Sequence, residues 1–338
     1  MAESTKISAF NGKSDNLQML RFIAAVLVVF NHSFILSTGS PENEWFVRLT
    51  NGQYTFGSLA VSFFFFCSGF YAMRTISTKS YSGFKLVFRR YLRLIKPLIP
   101  VVVLCIAVGG VISELTLREY YANWQTLRYL LNGLLVLQHD LPGVFQNNIY
   151  VSTVNGSLWT LPVEFACFVL CTIGYKLSLL NEKITKFIFL PLLVIAIALK
   201  HVLGEGSLVG AALLPASIFF VGMVYYIYRD WILLSIKWFV VCLAGIVLLG
   251  YLGLLEIGMI FLFPYICAFV CFHCKQVSSK LGRLGDISYE MYLWGFPVQQ
   301  FVIDRFGGSM NSYVNFAIAV PVVVALAGVM KMVERKWD

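Results

Sequence analysis

The sequence predicts an all-α membrane protein: a polytopic helical bundle of about ten transmembrane helices, plus one re-entrant or interfacial helix. Three observations carry that prediction. The 338 residues are 59% hydrophobic and 13% charged, against about 45–50% and about 25% in soluble domains. Mean hydropathy is +0.77. The apolar residues also collect into ten runs, each close to the roughly 20 residues that a hydrocarbon core requires.

The runs cover about 17–38, 53–73, 97–115, 158–175, 187–204, 207–227, 232–250, 253–272, 286–303 and 311–330. The first is too long for a secretory leader, is broken by His32, and is followed by the others, so it reads as a retained helix. The segment RYLLNGLLVLQ, 128–138, is too short to cross. It reads as the re-entrant or interfacial piece of a long loop, 116–157. Internal repeats, low-complexity tracts and soluble domains are not visible, which predicts one integral-membrane domain over 1–338.

Basic residues set the orientation. With the N-terminus in the cytoplasm, 20 of the 26 Lys and Arg residues fall on the inner side, while Arg48, Arg118, Arg128, Lys200 and Arg305 fall outside. That asymmetry predicts N-in and C-in, in a cytoplasmic (inner) membrane. The net charge of +9 is therefore a topology signal with anionic-lipid contact. It implies no nucleic-acid partner, since no motif for one accompanies it. The eight cysteines sit mostly in apolar runs, where they act as small hydrophobes. Cys271 and Cys274 flank His273, but no second ligand pair at zinc spacing accompanies them, so packing rather than a metal site is expected.

Polar groups inside the apolar runs are the functional candidates. Arg21 and His32 are eleven residues apart in one predicted helix. That spacing leaves them about 20° apart in direction and about 16 Å apart along the axis. Snorkelling is the competing account of Arg21, and a structural interhelical bond that of His32. Glu164, in NGSLWTLPVEFACF, lies about 9 Å below the outer surface by residue count, as does His32. A carboxylate at that level would orient the imidazole and raise its basicity, as a general base acting on a hydroxyl requires. Arg90 and Arg93, in FRRYLRLIKP, share a helix face and offer two guanidiniums to phosphate. A positive-inside anchor is the alternative. Ser68 and Gly69 interrupt the aromatic run AVSFFFFCSGF. Small residues there allow close helix packing or leave room for a ligand. Ser68 is counted into the cytoplasmic half, away from His32.

These residues together resemble membrane-bound acyltransferase family 3, which includes O-acetyltransferases of envelope polysaccharides. The resemblance covers nearly the whole chain in order. It comprises Arg21 and His32; Ser68, Gly69 and Phe70; Arg90 and Arg93; Leu158, Trp159, Leu161 and Glu164; and Gly285, Ile287, Ser288, Tyr289, Tyr292, Leu293 and Trp294. The chain departs from the family at Gly295, where many members carry a histidine.

The resemblance implies transfer of an acyl group, usually acetyl, from acyl-CoA to a glycan hydroxyl. Acetyl-CoA is then a donor substrate, and no bound cofactor is expected. His32 and Glu164 would be catalytic; Arg21, Arg90, Arg93 and Ser68 would serve the donor; Trp159 and Tyr292 would serve the acceptor. Envelope-polysaccharide assembly proteins are the expected partners. Two other classes fit the residues. In a proton-coupled transporter, His32 and Glu164 would relay protons, although the repeated halves and paired broken helices common in transporters are not visible. In a structural envelope protein the polar groups would only join helices.

Overall fold

The computed structural model describes residues 4–9, 14–204 and 206–336. Each of the ten apolar runs is helical. The main helices are α1 (Asp15–Thr38), α2 (Phe56–Thr78), α3 (Gly83–Ile112), α4 (Thr160–Lys176), α5 (Glu182–Leu203), α6 (Leu208–Ile227), α7 (Ile236–Tyr251), α8a (Leu255–Phe261) with α8b (Phe263–Ala268), α9 (Ser288–Arg305) and α10 (Ser312–Glu334). Among the described residues, 7 helices are long and apolar enough to cross a membrane, or 8 if the α8 pair, bent by 44°, forms one span. Of the ten expected spans, α7 and α9 fall short of that test. α7 has only 16 residues, and α9 carries buried Glu290, Gln299 and Gln300.

The segment 128–138 does not form a span. A short helix, Trp124–Tyr129, runs into a 3₁₀ turn, Leu130–Leu134, that ends at Leu135 with φ 60. The largest shift of a boundary is in α3, expected from 97 but starting at Gly83. Residues 84–96 include five Lys and Arg, so hydropathy passes over them, yet Lys and Arg are good helix formers. The helix continues through Pro97 and Pro100. Elsewhere the ends are capped by side chains: Asn181 for α5, Ser207 for α6, Ser235 for α7 and Asn311 for α10. Each satisfies backbone N–H groups that lack helical partners.

The chain divides into two compact units, one of Met1–Arg21, Val61–Tyr91 and Val163–Arg283, the other of Phe22–Ala60, Leu92–Pro162 and Leu284–Asp338. Four of the five boundaries fall within α1, α2, α3 and α4, and the fifth, after Arg283, precedes α9. In the first unit, β1 (Thr5–Lys6) pairs antiparallel with β2 (Leu233–Leu234). Ser14 Oγ donates to the Cys271 carbonyl at 2.6 Å and Asn16 Nδ2 to that of Val270 at 2.9 Å. His273 meets Thr5 through Nδ1 at 3.0 Å. α2 and α6 approach backbone to backbone. A Cβ on Gly69 would lie 1.8 Å from the Phe219 oxygen, and one on Gly222 would lie 2.2 Å from the Phe66 oxygen. The close packing expected at Gly69 is thus present. Lys200 and Glu256 form an ion pair at 2.6 Å. α5 turns Phe187, Leu190, Leu192 and Val194 outward, as suits contact with lipid tails.

In the second unit, α9 is the polar spine. Gln299 Nε2 donates to the Val29 carbonyl at 2.8 Å and to Asn315 Oδ1 at 2.9 Å. Lys331 binds the buried Glu290 and also Glu334, both at 2.8 Å. A second buried carboxylate opens α2. Glu44 accepts from the Phe56 N–H and from Asn31 Nδ2, each at 2.6 Å. Burial pushes the Glu44 carboxyl above its ordinary value, opposed by those two hydrogen bonds. The positive end of the α2 dipole favours its ionised form.

Candidate active site

His32 lies six residues before the end of α1 and is half-buried. Its Nδ1 is buried and has no hydrogen-bond partner among the described residues. The ring stands edge-on to Phe296 of α9, with centroids 5.3 Å apart and planes at 75°. Phe296 in turn fills the space over Gly156, where a Cβ would come within 2.8 Å of its ring. The chain around Gly156 is fixed to α9: Asn155 Nδ2 donates to the Leu293 carbonyl at 3.0 Å, and the Tyr292 hydroxyl to that of Ser157 at 2.7 Å. The imidazole therefore rests on a firm aromatic wall.

A second imidazole, which the sequence reading passed over, lies in the same unit. His139 Nδ1 is 3.0 Å from the Asn155 carbonyl. A carbonyl only accepts, so Nδ1 carries the hydrogen, and the neutral ring keeps its lone pair on Nε2. The only sequence signal was a lone His-Asp pair within a polar loop.

In the first unit, Glu164 of α4 takes hydrogen bonds from Ser68 of α2 and Arg90 of α3 through Oε1. Arg90 Nη2 also donates to Ser68 Oγ at 2.9 Å, and the guanidinium lies 5.5 Å from the Phe168 ring centroid. The side chains of Arg90 and Glu164 are only 15% and 18% exposed. A guanidinium placed so far from water needs an anion nearby.

Glu164 was expected to orient His32. Within the first unit its Oε1 serves Arg90 and Ser68, where an ion pair relieves two charges and a neutral imidazole would relieve none. The depth count erred. Ser68 and Glu164 meet, although one was counted into the inner half and the other into the outer. The turn Gly156–Trp159, from which the count to Glu164 began, already contains buried Ser157 and Leu158. α4 thus starts inside the protein rather than at its surface.

The other candidates are found as follows. Arg90 is engaged by Ser68 and Glu164, and Arg93, one turn along α3, is exposed. Arg21 is half-buried, 3.5 Å from Gln18 Oε1, and within electrostatic reach of Tyr71 and Cys67. Trp159 is half-buried in its 3₁₀ turn. Tyr292, expected to meet the acceptor, is buried, and its hydroxyl is engaged by Ser157 and, at 2.7 Å, by Thr160. At Gly295 a Cβ would lie 3.1 Å from Val29 Cγ2.

Long apolar helices enclosing a buried ion pair in one unit, and an imidazole with a buried, unpartnered Nδ1 in the other, describe an integral-membrane protein with polar chemistry in its interior. The family model for the acyltransferase domain matches residues 14–332, and the chain belongs to that family. It is therefore an enzyme of the acyl-transfer class. It is also similar to an O-acetyl transferase of Shigella phage Sf6, 27% identical over 335 residues, covering 96% of each chain. Comparison with solved structures gives no match.

Proposed function

We propose that this protein transfers an acyl group, acetyl in the first instance, from cytoplasmic acyl-CoA to a hydroxyl of an extracytoplasmic or lipid-linked glycan. The observation that carries this reading is the His32 ring, buried at Nδ1 without a partner. Leaving a buried polar atom unpaired costs about 1–3 kcal/mol. A site retains that cost where the group meets a substrate. The similarity to an O-acetyl transferase supports acetyl as the group and oxygen as its destination.

In the proposed reaction His32 removes the proton from the glycan hydroxyl as its oxygen attacks the thioester carbonyl. The new C–O bond forms and the C–S bond breaks. The departing CoA sulfur takes the proton back from the imidazolium. Arg93 and Arg21 are assigned to the phosphates of the donor. Glu164 and Ser68 hold Arg90 fixed at the neighbouring turn of α3. Trp159 offers an aromatic face to the sugar. The setting is the cytoplasmic membrane, with envelope-polysaccharide assembly proteins as partners and no resident cofactor.

The test uses purified protein, acetyl-CoA labelled in the acetyl group, and a cell-envelope glycan. Label should pass to the glycan. His32→Ala should lower the rate by about 10²–10⁴-fold, the usual contribution of a general base, with an unchanged unfolding profile. Full transfer by folded His32→Ala protein ends the proposal.

A further inference from the structure

Beyond the end of α9, in the second unit, lies a cleft of about 340 Å³, within the roughly 300–1,000 Å³ of small-molecule sites. Its lining includes the carboxylates of Glu114 and Asp304, the guanidinium of Arg305 and the amides of Gln146 and Asn147. We propose that this cleft is a docking subsite for an extended, uncharged stretch of glycan. The proposal rests on the acyl-transfer reading above and adds where the acceptor is held.

Three features support it. The first is chemical. A sugar hydroxyl both donates and accepts, and this lining offers the Glu114 carboxylate, the Asp304–Arg305 ion pair with its remaining lone pairs and N–H groups, the Gln146 amide oxygen and the Asn147 amide. Two carboxylates against one guanidinium leave the cleft net negative. Phosphate or sulfate groups, and hence the CoA donor, are disfavoured there.

The second feature is construction. The walls are held by hydrogen bonds within the unit. Ser113 Oγ donates to the Pro142 carbonyl and the Glu114 N–H to that of Gly143, both at 2.8 Å. Gly143 has φ +67, and a Cβ there would fall 2.5 Å from Ser113 Oγ. Behind the cleft, Gln300 Nε2 donates to the carbonyls of Tyr150 at 2.8 Å and Thr153 at 2.7 Å. Asn148 Nδ2 donates to the Gln300 carbonyl at 2.9 Å. Recognition by a preformed surface loses less ordering entropy on binding.

The third feature is position. Asp304 lies eight residues beyond Phe296 on α9, about 12 Å along the axis, and Phe296 is the ring that touches His32. A single sugar seated at Asp304 would leave its hydroxyls well short of the imidazole. A longer glycan spans the interval. The cleft also belongs to the loops that the charge asymmetry assigns to the outer face.

The test uses the full chain in detergent and a neutral trisaccharide bearing a diazirine, with labelled peptides mapped by mass spectrometry. Label should fall at 112–114, 143–147 and 304–305. Unlabelled trisaccharide should compete, and CoA should not. Glu114→Gln with Asp304→Asn alters one exposed side chain and one at the end of α9. It should cut labelling, and raise the KM for the glycan, by about tenfold or more. kcat at saturation and the KM for acetyl-CoA should stay unchanged. The free monosaccharide should be a poor acceptor. Label outside the cleft, or labelling and KM unmoved by the substitutions, overturns the subsite. Label within the cleft of a protein that transfers no acetyl group supports the subsite and removes the reaction. Transfer with label elsewhere does the reverse.

Discussion

Replacing Glu164 by Gln asks whether that carboxylate serves Arg90 or an imidazole. Its side chain and that of Arg90 are 18% and 15% exposed, so the pair is largely out of water. Removing one member of such a pair costs about 3–5 kcal/mol, the expected loss for Glu164→Ala. Gln keeps an oxygen for Ser68 and Arg90. The Ser68 bond, worth about 1.5–3 kcal/mol to a carboxylate, becomes a neutral one of about 0.5–1.5 kcal/mol, while the guanidinium stays charged and loses its counter-charge. The loss for Glu164→Gln therefore lies between about 1 kcal/mol, the Ser68 bond alone, and the about 3–5 kcal/mol of an unpaired buried charge. Arg90→Met combined with Glu164→Leu removes both charges and should recover most of it. The assay is reversible unfolding in mixed detergent across this set, with acetyl transfer by each variant followed against pH. The pairing seen here predicts a pH profile unmoved in Glu164→Gln, because the carboxylate serves Arg90 and Ser68. A stability loss below about 0.5 kcal/mol, or a displacement of the profile by about a unit as expected for a carboxylate bonded to the imidazole, would refute the reasoning.

Gly69→Leu should abolish a monodisperse peak in size-exclusion chromatography, because even a Cβ would fall 1.8 Å from a backbone oxygen and backbone cannot step aside. Gly295→His should cost about 1–3 kcal/mol through overpacking. Since the nearest obstacle is Val29 Cγ2, Val29→Ala should restore part of that loss in a thermal melt. Glu44, raised above its ordinary carboxyl value of 4.5 mainly by burial, binds protons more readily folded than unfolded. Its contribution to stability should fall as pH rises from 4.5 towards its folded value. Glu44→Gln should flatten that slope of melting temperature against pH.

The helices were legible because lipid leaves little choice: an apolar run of about 20 residues must satisfy its own backbone. Gly69 was legible for a related reason, since small residues are what let helices close together. The partner of Glu164 was not. Both His32 and Arg90 were available to it, and a count from the surface favoured His32. The energetics of a buried guanidinium favoured Arg90, but sequence position does not show that Arg90 is buried. The entry into α4 gave no warning either, since GSLW has the look of a surface turn. The partners of Tyr292 were not legible, because an aromatic hydroxyl suits a sugar as well as it suits the Ser157 carbonyl it meets. The cleft assembles Glu114, Gln146 and Asp304 from three distant stretches, so no local pattern announces it.

Asn31 and His32 are neighbours on α1, about 100° apart around the axis. Asn31 is tethered to Glu44, which also receives the first N–H of α2. The azimuth of α1 is therefore set by an amide one residue away from the imidazole. Slipping that tether by one position would swing the ring through more than a quarter of a circle. The imidazole thus takes its bearing from its neighbour's hydrogen bond, and the loop between α1 and α2 that supplies Glu44 acts as the set-screw.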